Sequence, residues 1–150
     1  TEQPNGHFGQ TVARQFLFES FYQLQLDGLC RSTDPRIAEI AARVIRENDY
    51  HLRHMRNWVL RLGDGTAESH ARMQTSFDEL WRFTGEMFAP DELDDEVRAL
   101  FNGPHLEIIE AEWRKEILDA SERAQQRPKH QPGHKHKKAG YKNERGQQHI

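Results

Sequence analysis

The stretch RENDYHLRHMRNWVLRLGDGT, residues 46–66, holds side chains of types that bind metals, among them Glu47, His51 and His54. Glu47 and His51 lie four residues apart, so on a helix both point to one side, beside Val44 and Met55. Glu19, on an earlier helix, shares a stripe with Val12 and Phe16 and so also points inward. An ionised carboxylate among apolar groups is costly unless a cation or hydrogen bonds compensate it. Two inward Glu and one inward His on neighbouring helices resemble half of a carboxylate-bridged di-metal site. Such a site takes single Glu ligands from two helices and Glu-x-x-His pairs from two others. Carboxylates with imidazole suit iron or manganese. The spacing here, however, is Glu-x-x-x-His, and three donors fall short of the roughly six that such a centre uses. The expectation is therefore that this chain binds no metal and no other cofactor. Glu47 and His51 then pair with each other, with Arg43 or Arg46, or with a partner subunit. His54 is peripheral and pairs with nearby acids, while Asn48, small and polar on the same seam, fixes helix register.

Other chemistries leave no mark. Phosphate-loop, nucleophile-elbow and dinucleotide motifs are absent, since Gly63 and Gly65 sit in a turn with no strand leading in. No catalytic residue is expected. Phe77, Trp81, Phe83 and Phe88 of FDELWRFTGEMF fit a core, with some facing another subunit. Cys30 cannot form an internal disulfide, which fits a reducing cytoplasm, and it reads as a packing residue at a helix end.

The charge is divided unevenly. Residues 1–126 hold 14 basic and 23 acidic residues, a net of −9, whereas residues 127–150 hold 7 basic and 1 acidic, a net of +6. The first part reads as one helical domain; the second, rich in Lys, His, Gly and Pro, lacks apolar periodicity and is expected to be disordered. Lys and Arg can neutralise phosphates, but this segment has one aromatic residue, Tyr141, so it offers no stacking platform. The acidic body repels polyanions, and HKHKK does not match structural zinc spacings. No nucleic-acid partner is expected. The longest apolar runs are a few residues, against the about 20 that a membrane span needs, so no membrane association is expected either. The N-terminus carries no secretory pattern, and the expected location is cytoplasmic.

Periodicity predicts which elements place these residues. A helix runs from about Phe8 to Cys30, apolar nearly all round and hence central. Asp34 and Pro35 start a second, whose apolar seam is Ile37, Ala41, Val44, Asn48, His51, Met55, Trp58 and Leu62. Gly63 ends it in a left-handed conformation. Thr66 caps a third helix to about Phe88, antiparallel to the second because the connection is short. A short acidic helix follows APDEL, and Pro104 opens a last one to about Ala124, with Leu106, Ile109, Trp113 and Ile117 inward. The fold class is all-α.

The blocks EQPNGHFGQTVARQFLFESF, DPRIAEIAARVIRENDYHLRHMRNWVLRLGDGT and MQTSFDELWRFTGEMF resemble the structural subunits of bacterial phenylacetyl-CoA ring epoxidases, the multicomponent oxygenases of phenylacetate degradation. The likeness continues more loosely through EAEWRKEI. It implies a ferritin-like helical bundle paired with a homologous catalytic subunit that carries a di-iron centre and epoxidises the ring with O₂. A reductase subunit supplies electrons from NADPH through flavin and an iron–sulfur centre. It implies a structural role for this chain, with Glu19, Glu47 and His51 as vestiges of a metal site. Members of that family have two further helices before EQPNG and a final apolar helix in place of the basic segment. Two other functions fit the residues: a self-sufficient di-metal oxidase using Glu19, Glu47 and His51, and a module that binds nucleic acid or an acidic partner through residues 127–150.

Overall fold

The computed structural model describes residues 6–126. In order come α1 (Phe8–Leu29), α2 (Pro35–Gly63), α3 (Ala67–Trp81), a short 3-10 helix (Thr84–Phe88), α4 (Glu92–Phe101) and α5 (Leu106–Gln126). The described residues contain no strand, so the molecule is an all-α helical bundle. None of these helices is long and apolar enough to cross a membrane. The basic segment 127–150 lies outside the described residues.

Helix α1 is the centre of the bundle, packed against α2, α3 and α5. Its apolar residues surround the axis because three neighbours cover it. Phe8 meets Trp58 edge-on at 5.0 Å while Asn48 reaches the carbonyl of Glu19, which makes α1 and α2 antiparallel. Phe16 against Phe77 and Phe21 against Phe88 run α3 and the 3-10 helix alongside α1 in the same direction. Helix α5 returns: fully buried Trp113 donates its Nε1–H to the Leu17 carbonyl at 3.0 Å, and Gly28 abuts Pro104. Trp113 also stacks on Trp81 and packs on Phe88, so one indole ties α1, α3 and α5 together. Leu106, Ile109 and Ile117 join it in the core, as the spacing predicts.

The helix ends are chemically specified. Asp34 accepts from the amides of Arg36 and Ile37, and Pro35 fills the first position of α2. The Arg36 amide, foremost, holds the Asp34 carboxyl below its ordinary range. Thr66 caps α3 by accepting from the Ser69 amide. Two free carbonyls at the end of α2 are taken by α3: Ser69 Oγ donates to Leu62 and His70 Nδ1 to Gly63 at 2.8 Å. A carbonyl only accepts, so His70 carries its proton on Nδ1.

Two boundaries differ from expectation. Gly63 is not left-handed; it is the last helical residue, and its value is its size, since a Cβ there would lie 3.1 Å from that of Ala124. Helix α3 does not reach Phe88 but stops at Trp81 and re-forms as a 3-10 helix. Thr84 donates its hydroxyl to the Trp81 carbonyl at 2.8 Å, an interaction that competes with continued helix, and Gly85 adds backbone freedom. The break still delivers Thr84 and Phe88 to the core.

Candidate functional site

The donor-type side chains divide between two environments. Glu19 on α1 is 8% exposed, as its stripe with Val12 and Phe16 requires. Burial raises its carboxyl above the ordinary value, and the nearby charge of His51 opposes that rise. Glu47 and His51 on α2 are exposed, contrary to the inward placement expected of them.

The reason is the phase of α2. Its buried residues are Ala41, Asn48, Leu52 and Val59. At 100° per residue the Ala41–Val59 line returns to one direction, and Glu47 lies roughly 120° round the axis from it. The expected seam kept strict three-and-four spacing over eight positions, and such a pattern drifts about 20° per heptad on a straight helix. Leu52 is more apolar than His51 and takes the core side, with Val59 on the same line, while the larger Trp58 packs at the flank against Phe8. Val44, Met55 and Leu62 remain at the flank, half-buried.

The pairing expected for Glu47 is not formed with Arg43 or Arg46. Arg43 pairs with Glu39 one turn away, and Arg46 donates to the Ala42 carbonyl. His51 stands edge-on to the Tyr50 ring at 6.0 Å. Among the described residues His54 pairs with no acid; it takes the indole N–H of Trp58 on Nε2 at 3.2 Å, which leaves the proton on Nδ1. Asn48 does join the helices as expected: its buried amide donates to the Glu19 carbonyl at 3.0 Å and to Gln23 Oε1 at 2.7 Å. Gln23 was missed from sequence. Its place one turn beyond Glu19, facing an inward Asn, was the available signal.

The arrangement is thus one buried carboxylate backed by an amide pair, with an imidazole at its outer edge. Among the described residues no three His, Cys, Asp or Glu side chains converge on a point where they could hold a metal ion. Glu19 and His51 could furnish at most two donors from this side of the bundle. Elsewhere, a half-open cleft of about 280 Å³ lies where α1 meets α3 and the 3-10 helix, walled by Leu17, Phe18, Phe83 and Met87 with Arg14 and Glu86 at its rim. No sequence signal points to it, because its walls come from segments some 65 residues apart in the chain.

Fold and site define an all-α bundle protein with, among the described residues, one buried carboxylate, Glu19, at the α1–α2 seam. The chain belongs to the phenylacetic acid catabolic protein family, whose sequence profile matches residues 1–149. The C-type subunit of 1,2-phenylacetyl-CoA epoxidase from Escherichia coli (strain K12) is 39% identical over 117 residues, covering 78% of this chain and 47% of that protein. The chain therefore spans about half the length of this relative.

Proposed function

We propose that this chain acts as a non-catalytic structural subunit of a multicomponent di-iron monooxygenase that epoxidises the ring of phenylacetyl-CoA. Its ferritin-like bundle supports a homologous catalytic subunit, which holds the iron; a reductase carrying flavin and an iron–sulfur centre draws on NADPH. The observation that supports this most is the divergence of the three donor-type side chains. Glu19 is buried at the seam while Glu47 and His51 face outward, about a quarter to a third of a turn away from the core line of α2. A carboxylate-bridged pair of metals needs donors aimed at one point from several helices. The likeness to the epoxidase component from Escherichia coli supplies the substrate class and the multi-subunit setting.

The test is co-expression with the family's catalytic homologue, followed by affinity purification and elemental analysis of each chain. The expected result is a stable complex whose iron partitions with the homologue, and sub-stoichiometric iron on this chain purified alone. Stoichiometric iron on this chain, lost in Glu19→Ala and His51→Ala, would overturn the reading in favour of a self-sufficient oxidase.

A further inference from the structure

Helix α4 is the one described helix with no buried residue. It is tied only at its end, where the Phe101 carbonyl accepts from the Thr33 amide and Ser32 Oγ, and Asn102 donates to the Arg31 carbonyl. Yet it is not a frayed linker. Asp91 and Asp94 form a capping box at its start, and Asn102 closes it in the left-handed conformation, φ 52°. Its apolar side chains recur at Leu93, Val97 and Leu100, and the two leucines are 64% and 66% exposed. A helix specified this carefully and left bare on its apolar stripe is a surface awaiting cover.

What covers it is indicated by charge. Five of the six residues 91–96 are acidic. On the other helices many acids are matched one turn away by arginine, as in Asp27–Arg31, Asp49–Arg53, Glu68–Arg72 and Glu110–Arg114. On α4 only Asp95 is so matched, by Arg98, and Glu92 and Glu96 have no ion-pair partner among the described residues. The chain carries the complementary charge itself, in residues 127–150 with their net of +6. We propose that this segment docks along α4, its lysines against Glu92 and Glu96 and its Tyr141 and Ile150 available to the leucine stripe.

The distances allow it. The 3-10 helix that precedes α4 ends at Phe88, which packs on Trp113, so the acidic start of α4 lies near the middle of α5. From Trp113 to the end of α5 at Gln126 is roughly 20 Å of helix. Twenty-four further residues span up to about 80 Å. Tethering also raises the effective concentration of the segment to the order of millimolar, so weak individual contacts suffice. Contacts of this kind are screened by salt, the Debye length falling to about 4 Å near 0.5 M.

Zero-length carbodiimide cross-linking of the full chain, read by peptide mass spectrometry, tests the proposal. At low salt the expected products join Lys135, Lys137, Lys138 or Lys142 to Glu92 and Glu96, and their yield falls several-fold at about 0.5 M salt. A mixture of isotopically light and heavy chains should give no mixed products. Glu92→Gln with Glu96→Gln, which spares the capping box, should abolish these products. Neutralising the segment instead, with Lys135→Gln, Lys137→Gln and Lys138→Gln, should cut the yield without touching any described helix. Lysine cross-links spread evenly over the acids of α3 and α5, mixed light–heavy products, or a yield indifferent to salt would each overturn the proposal. So would tight binding of a short DNA duplex by a segment that never cross-links to α4.

Discussion

At the residue scale the most informative side chain is Glu19, because its environment has a measurable sign. Burial raises its carboxyl above the ordinary value of 4.5, with His51 opposing. The native state therefore holds a proton over a range in which the unfolded chain releases it. The stability contributed by this group is fully present below about pH 4.5 and is lost as pH rises through the raised native value. Glu19→Gln keeps the shape and cannot ionise, so at neutral pH the variant should be the more stable protein, and its denaturation midpoint should vary less with pH. Urea titrations across the acid-to-neutral range check this; a variant less stable at neutral pH would mean that attraction to His51 outweighs burial. That Glu19 points inward was readable from its stripe with Val12 and Phe16. That Glu47 and His51 do not was unreadable from spacing alone, since seams a small rotation apart both fit three-and-four periodicity. Which one packs depends on the partner helix, here through Leu52, Val59 and the Asn48 amide.

At the element scale the sequence was legible wherever an end carries its own chemistry. Asp34 with Pro35, and Thr66 with Ser69, are local devices whose partners lie within three residues. The break in α3 was not legible because Thr84 tolerates a helix until its hydroxyl takes the Trp81 carbonyl. Close approaches between elements were equally hidden. Gly28 looks like an ordinary helix-end glycine, yet a Cβ there would lie 2.5 Å from the Cβ of Pro104 and 3.2 Å from its Cα. The end of α1 can thus seat against the entry to α5 only without a side chain. Gly28→Ala should cost about 1–3 kcal/mol in overpacking, whereas Gly85→Ala, whose Cβ would meet nothing within 4 Å, should show no such clash penalty. Chemical denaturation of the two variants side by side decides it: equal midpoints would mean that Pro104 yields freely and that the α1–α5 contact is loose.

At the scale of the whole molecule, the distribution of apolar surface bears on assembly. The interior is knit by Phe16, Phe21, Phe88 and Trp113. The outer side of the α1–α2 pair differs: Phe8, Ile40 and Tyr50 stand exposed there, and the same face presents Glu47 and His51. Leaving such side chains in water forgoes about 25 cal/mol for each Å² of apolar area that a partner could bury. Under the proposed supporting role, the chain should gain stability from a catalytic partner in proportion to occupancy. Free energy added by binding follows RT ln(1 + [L]/Kd), or about 2.7 kcal/mol at a hundredfold excess over Kd. Thermal unfolding of this chain with rising amounts of the family's catalytic homologue should accordingly show a Tm that climbs with partner concentration. Ile40→Ser with Tyr50→Ser removes apolar area that is already exposed in the isolated chain. That double variant should leave the Tm of the chain alone nearly unchanged while reducing the climb. A Tm that ignores the homologue would overturn the supporting role itself, whereas a double variant that climbs as steeply as the parent would place the supporting surface elsewhere on the bundle.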